Sequence, residues 1–267
     1  MGREFVLLGD PVAHSLSPRI HAAAFDAWGV DATYRAQRVE AAGLAAAVRS
    51  AAAGGGGNVT LPYKRAVAAL LEDATPDVVE TGACNCFWRD RGDTLAGDNT
   101  DVGGFIRALG DLDVEVTGAA VLILGAGGAA GAVVRAVQRL GAGRVEIWNR
   151  TTARARRLAA EVAGDVIVHD RLPEEGAYDL VVNATACGLR LADPLPMDLR
   201  GGTAAAFDLV YAPGGTPWVK HAAALGIPAT DGLGMLVHQA ALSLRRWFPD
   251  REPPLKEMFR AARGAPG

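Results

Sequence analysis

The chain has 267 residues, half of them hydrophobic, with 30 acidic against 27 basic side chains and a net charge of −3. That length supports a sizeable core and two domains, and a near-balanced charge without long basic blocks excludes generic binding to nucleic acid or an anionic membrane. The three cysteines, Cys84, Cys86 and Cys187, are too few and too oddly numbered for a disulfide framework, and no second pair or nearby histidine completes a metal site, so none is expected.

The start, "MGREFVLLGD", holds too short an apolar run for a signal peptide, and the Gly-rich stretch from Val121 to Val134 is too short to span a bilayer. The expectation is a cytoplasmic protein. Along the first hundred residues, apolar strands alternate with helical patterns. "FVLLG" reads as a strand, "SPRIHAAAFDAWG" as a helix, "ATYRAQRV" as a strand and "EAAGLAAAVRSAA" as a helix. The short strand "GGNVT" and the helix "YKRAVAALL" come next, with the run Gly54–Gly57 marking a flexible turn. "CNCFWRD" and "DTLAGDNT" read as a hairpin-like pair, and "VGGFIRALG" as a helix leaving the domain.

The pattern then restarts. "AAVLILGAGGAAGAVVRAVQRLGA" is a fully apolar strand, a tight glycine turn and an amphipathic helix. Strand "RVEIWN", helix "TTARARRLAAEVA" and strands "DVIVHD", "YDLVVNAT" and "AAAFDLVY" follow, then helices "TPWVKHAAALG", "DGLGMLVHQAALSLRRWF" and "LKEMFRAAR". This is a doubly wound nucleotide-binding layout. The predicted fold is α/β with two domains: 1–103 plus 232–267, a mostly parallel substrate-binding domain, and 104–231, a Rossmann-type domain.

Gly125-Ala126-Gly127-Gly128-Ala129-Ala130 fits G-x-G-x-x-[G/A] between a predicted strand and a helix. Gly125 permits the turn, Gly127 lets backbone approach a pyrophosphate, Ala130 allows close packing, and the helix N-terminus attracts phosphate. An acid at the end of the next strand would favour NAD. Glu146 is mid-strand, whereas the strand end reads Asn149-Arg150-Thr151 with Arg154 one turn on. Guanidinium groups there suit a 2′-phosphate, so the expected cofactor is NADP; the plainer reading makes Arg150 and Arg154 solvated helix-start charges.

In "HSLSPRIH", Ser17 is the expected N-cap of a helix with Pro18 at its first position. Ser15 and Ser17 either cap only, or together grip a carboxylate. "NVTLPYK" places Pro62 just inside a helix start and Lys64 in its first turn, where the backbone dipole opposes an ammonium. Thr60, Lys64, Asn85 and Asp101 lie at strand ends or helix starts, positions that converge on one crevice in an open α/β sheet. A lone lysine is ordinarily a surface charge and a lone aspartate in "DNTD" a turn residue. Together, facing a nicotinamide, they suit alcohol oxidation, because a proton must leave oxygen as hydride leaves carbon.

These segments carry a resemblance. "GDPVAHSLSPRIHAAAF", "NVTLPYK", "GACNC", "GDNTDVGGF", "LILGAGGAAGAV", "NRT", "VVNATACGL", "FDLVY" and "DGLGMLVHQAA", in that order and over nearly the full length, resemble the shikimate/quinate dehydrogenase family. The resemblance implies a deep interdomain cleft that closes on substrate and an NADPH-dependent, reversible reduction of 3-dehydroshikimate to shikimate, toward chorismate and aromatic amino acids. It makes Lys64 the catalytic lysine and Asp101 its carboxylate partner. It assigns the substrate carboxylate to Ser15 and Ser17, and ring hydroxyls to Thr60, Asn85, Asp101, Tyr211 and Gln239. It places Gly125, Ala126, Gly127, Gly128, Ala129, Asn149, Arg150, Thr151, Arg154, Thr185, Leu209 and Gly232 on the NADP side. The chain departs from the family's usual G-A-V-N-T in having Cys84 and Cys86 around Asn85, which changes polarity beside the substrate asparagine. It also has glycine where a bulkier residue often precedes Asn58. The rival activities are quinate/shikimate or aminoshikimate dehydrogenase, and, in another class, a catalytically silent sensor. The partners expected are small molecules, with the chain a monomer or homodimer.

Overall fold

The computed structural model describes residues 2–264 except 163, 174–176, 191 and 200–201. The chain divides into two compact units: residues up to Gly104 together with those from Leu236 onward, and Phe105–Met235. In chain order the elements to the first boundary are β1 (Arg3–Gly9), α1 (Ser17–Trp28), β2 (Ala32–Arg38), α2 (Leu44–Gly54), β3 (Gly55–Val59), α3 (Lys64–Ala68), β4 (Asp73–Ala74), α4 (Pro76–Thr81), β5 (Cys86–Arg89), β6 (Leu95–Asp98) and α5 (Thr100–Asp111). Then come β7 (Ala120–Leu124), α6 (Gly128–Arg139), β8 (Arg144–Trp148), α7 (Thr152–Glu161), β9 (Ile167–His169), β10 (Leu180–Asn183), β11 (Ala206–Asp208), α8 (Pro217–Ala224), β12 (Ala229–Thr230), α9 (Leu233–Trp247) and α10 (Leu255–Arg263). Among the described residues no helix is long and apolar enough to cross a membrane.

The first unit holds a six-stranded sheet in the order β2-β1-β3-β5-β6-β4. β1 pairs parallel with β2 and β3, while β3–β5 and β5–β6 are antiparallel, so the expected hairpin is present. One face buries Val6, Leu8, Val48, Val59, Val67 and Phe87. Around Phe5, an aromatic group joins Trp247, stacked at 4.4 Å between centroids, with Phe25 and Phe248 at 5.6 Å. The short pieces β4 and α4 were not legible in the sequence.

Gly54 ends α2 and Gly55–Gly57 open β3, so the run holds no flexible turn, and the strand expected from Gly56 onward is present. A side chain at Gly56 would place its Cβ 2.6 Å from the Phe87 carbonyl and 3.0 Å from the Trp247 indole nitrogen, and one at Gly57 would stand 2.5 Å from the Val6 carbonyl. β3 threads between β1 and β5 with aromatic rings against it, and only a backbone without Cβ fits there.

The second unit is a six-stranded, fully parallel sheet in the order β12-β11-β10-β7-β8-β9. From β7 the chain first works outward through β8 and β9, then returns to the other side as β10. The order therefore reverses between β7 and β10, which is where an open α/β sheet binds its ligand beyond the strands' carboxyl ends. Leu122, Leu124, Val181, Leu199, Ala206 and Trp218 pack below that edge.

Candidate functional site

In the first unit, topology delivers the chemistry-bearing residues to one edge. β1 and β3 are parallel, with Leu8 opposite Val59, so the segments carrying Ser15/Ser17 and Thr60/Lys64 both follow carboxyl ends at the same edge. β5 starts there because it runs against β3, Asn58 opposite Cys86, which puts Asn85 at that edge. β6 turns back and ends there, Asp98 opposite Cys86, and Asp101 follows in the first turn of α5.

Lys64 Nζ and Asp101 Oδ2 form a close ion pair with side chains 12% and 8% exposed. Asp101 Oδ1 accepts the Asn85 carboxamide at 2.8 Å, and the same Nδ2 reaches Gln239 Oε1 at 3.3 Å. Both carboxylate oxygens are thus held by donors from two other elements. The lysine has three N–H groups, and the ion pair uses one. Lys64, Asp101, Asn85 and Gln239 therefore form one cluster. Thr60 stands in the turn before them, where its carbonyl accepts the Tyr63 N–H at 3.0 Å.

Two local expectations need correction. Lys64 is the first residue of α3 after an N-cap at Tyr63, so Pro62 lies outside the helix, and α3 is only 5 residues long. With so few aligned peptide units its dipole is small. The N-cap of α1 is Leu16, not Ser17, and it makes no side-chain cap. Ser15 Oγ instead accepts the Ser17 N–H at 3.2 Å and donates to Ser17 Oγ at 3.1 Å. A hydroxyl two residues upstream thereby satisfies the helix-start donor and brings both serines side by side.

Behind this edge lies a buried polar chain that spacing did not single out. Thr100 donates its N–H at 2.7 Å and its hydroxyl at 3.1 Å to Asn85 Oδ1, which turns the amide's NH2 toward Asp101. Asn58 donates to the Asn85 carbonyl at 2.9 Å and to Ser243 Oγ at 2.8 Å, and accepts the Tyr34 hydroxyl at 2.9 Å. His21 stacks on Tyr34 at 4.0 Å, its Nδ1 2.8 Å from the Ser17 carbonyl, and its Nε2 is buried without a partner. Burial lowers the imidazole's pKa to about 4 and raises the Tyr34 phenol's well above its ordinary value. Cys84 and Cys86 are fully buried, and burial pushes the Cys84 thiol up to about 12. Both remain thiols. The only signal for Asn58 and Thr100 in the sequence was their place within "NVT" and "NTD".

In the second unit, Gly125 follows β7 with φ +113°, and a Cβ there would meet the Ala184 carbonyl oxygen at 2.7 Å. Gly127 is the N-cap of the 12-residue α6, with no side-chain cap, no acid in the first turn and open space where its Cβ would be. Ala126, Gly128 and Ala129 are half-buried around this uncapped turn, and Ala130 is fully buried beneath it. The next strand ends alongside, since Gly125 N–H donates to the Trp148 carbonyl at 2.7 Å. Asn149 Nδ2 bonds the Thr151 carbonyl at 2.9 Å, and Arg150 and Arg154 are exposed. Glu146 is spoken for: Arg144 at 3.1 Å, His169 at 2.5 Å and Tyr178 at 2.8 Å all hold its carboxylate. These residues fit a pyrophosphate at α6 and a further phosphate beside the arginines. Gly232 and Leu209 are neighbours, a Cβ on Gly232 falling 2.1 Å from the Leu209 carbonyl oxygen. Thr185 spends its hydroxyl proton on Asn183 at 2.6 Å, and Tyr211 is half-buried in the segment after β11.

Comparison with known proteins agrees over most of the length. Residues 7–87 match the shikimate dehydrogenase substrate binding domain, 108–192 match shikimate/quinate 5-dehydrogenase, and 232–263 match the shikimate 5′-dehydrogenase C-terminal domain. A shikimate dehydrogenase (NADP(+)) of Sphingopyxis alaskensis is 42% identical over 250 residues, covering 91% of this chain and 89% of its own. One from Maricaulis maris is 38% identical over 267 residues, 96% of this chain and 95% of its own. The crystal structure of the Thermus thermophilus shikimate 5-dehydrogenase in complex with NADP(H) and shikimate superposes with a TM-score of 0.88 at 39% identity, covering 99% of this chain and 100% of that one.

Proposed function

The chain belongs to the shikimate dehydrogenase family, and on that premise we propose how its own residues divide the work. The protein is an NADP-dependent oxidoreductase acting on a CH–OH group, interconverting 3-dehydroshikimate and shikimate on the way to aromatic amino acids. NADP, when bound, supplies or accepts the hydride. Everything else falls to side chains.

The observation that carries the reading is the Lys64–Asp101 pair with Asn85 on its free oxygen. In the reducing direction the Lys64 ammonium donates a proton to the ketone oxygen as carbon receives hydride, leaving a neutral amine that solvent reprotonates. In the oxidising direction the amine takes the hydroxyl proton as hydride leaves. Asp101 holds Lys64 at that oxygen through the ion pair. Asn85, Gln239 and Thr60 recognise ring hydroxyls. Ser15 and Ser17, adjacent at the start of α1, hold the substrate carboxylate. Gly125–Ala129 take the pyrophosphate, with Thr185, Leu209 and Gly232 lining the same side. Asn149, Arg150, Thr151 and Arg154 take the 2′-phosphate.

The test is steady-state oxidation of shikimate and of quinate, each with NADP and with NAD, followed by nicotinamide absorbance. The expected result is strong preference for shikimate with NADP. Comparable quinate turnover refutes the carboxylate assignment as a shikimate-specific grip, and comparable NAD turnover refutes the arginine assignment. Silence in all four with NADP still bound points to a sensor or to an aminoshikimate dehydrogenase.

A further inference from the structure

We infer that Asn183 and Asp208, which touch neither reacting atom in the scheme above, are a positioning pair that holds the NADP-side turns of the second unit in shape; the inference rests on the reading just given. They are register partners at the carboxyl ends of the parallel strands β10 and β11, and both are fully buried. Asn183 Nδ2 donates to Asp208 Oδ1 at 2.8 Å.

Each side of the pair organises one turn. Asn183 Oδ1 accepts the Thr185 N–H at 3.0 Å and its hydroxyl at 2.6 Å, while Nδ2 also donates to the Cys187 carbonyl at 3.1 Å. All four hydrogen-bonding positions of the carboxamide are used, so its orientation is unique. The Ala184–Thr185 backbone fixed this way lies against Gly125, where a Cβ would meet Ala184 oxygen at 2.7 Å and Thr185 nitrogen at 3.1 Å. The shape of the glycine turn and that of the Thr185 turn are therefore coupled through direct backbone packing.

Asp208 does the same for the segment carrying Leu209 and Tyr211. Its Oδ1 also accepts the Val210 N–H at 3.0 Å, and Oδ2 accepts the Thr216 hydroxyl at 2.7 Å. Thr216 in turn caps α8 through the Val219 N–H at 3.2 Å. Both ends of the loop from β11 to α8 thus hang on one carboxylate. The start of the loop is also tied by Gly232 N–H to the Val210 carbonyl at 3.0 Å. Burial raises the carboxyl's pKa, and its three donors oppose that; a buried carboxylate is retained because those donors are backbone and side-chain groups of the two turns.

The experiment measures the dissociation constant of NADP by quenching of intrinsic fluorescence, with thermal melts alongside, for wild type, Asn183→Ala, Asp208→Asn and the double variant. Asp208→Asn preserves shape and disturbs one hydrogen bond. The expected result is NADP binding weakened about tenfold in Asn183→Ala and a few-fold in Asp208→Asn, with the double variant weakened by less than the product of the two because they share one hydrogen bond. Lowered melting temperatures with unchanged NADP affinity would overturn the inference, as would effects that multiply in the double variant. Should Asn183→Ala fail to fold, Asp208→Asn and Thr216→Val take its place, with the same prediction that their effects do not multiply. A wild type that binds NADP but turns over no substrate would sink the functional reading and leave this comparison decisive for the pair; a wild type that binds no NADP overturns both.

Discussion

His21 makes stability depend on pH in a way that can be worked out from its surroundings. The ring is fully buried, stacked on Tyr34, with Nδ1 on the Ser17 carbonyl and no partner for Nε2. Protonation would leave a buried, charged N–H without an acceptor, so the folded chain holds the proton only below about 4, against 6.5 for a free imidazole. Between those values the unfolded chain binds the proton and the folded chain does not, so stability falls as pH falls. The full gap corresponds to about 3 kcal/mol, of which about 2 kcal/mol is lost by pH 5. Urea unfolding followed by tryptophan fluorescence, to which Trp247 at 5.5 Å from His21 contributes, should be compared between wild type and His21→Phe at about pH 7.5 and 5. The variant forfeits the Ser17 bond at both pH values, about 1 kcal/mol. It should therefore be the less stable protein at neutral pH and the more stable one at pH 5. A stability difference that stays constant across this range would refute the reasoning.

Other perturbations follow from the same geometry. Lys64→Ala should lower kcat by about a hundredfold or more while moving the shikimate KM much less, since it removes the proton carrier rather than the main binding groups; steady-state kinetics decides it. Arg150→Ala and Arg154→Ala should each raise the NADP KM by about tenfold and leave that of NAD nearly unchanged. Gly56→Ala should destabilise by about 3 kcal/mol, because its Cβ would stand 2.6 Å from the Phe87 carbonyl; denaturant midpoints measure this. Native protein should titrate only Cys187 with a thiol reagent, since Cys84 and Cys86 are buried and held protonated; all three should react after unfolding.

Much of the plan was legible in the sequence, and the physical reason is periodicity and punctuation. "LILGAGGAAGAV" announces strand, turn and helix because a buried parallel strand is apolar throughout and a tight turn needs glycine. Lys64 and Asp101 were legible as a pair because both follow strand ends, and strand ends in an open sheet converge. The glycine run misled only in suggesting a turn, because glycine signals one when nothing is known of its neighbours; Gly56 and Gly57 lie in the expected strand, where backbone and aromatic rings leave no room for a Cβ. Ser17 misled because a serine before proline fits an N-cap, and only the folded backbone shows Ser15 taking that duty. The two-residue strands β4 and β12 carry too few positions to show any period.

By itself, then, the order of residues determined the alternation of elements, the glycine turn after β7 and the placing of Thr60, Lys64, Asn85 and Asp101 at strand ends or helix starts. These follow from local steric preference and from where apolar faces recur. The tertiary structure decided which donor meets which acceptor: that Thr100 orients Asn85, that Glu146 is withdrawn by Arg144, His169 and Tyr178, and that Asn183 and Asp208 join two turns through one hydrogen bond. Hydrogen bonds depend on ångström distances between residues far apart in the chain, and no spacing along the sequence encodes those.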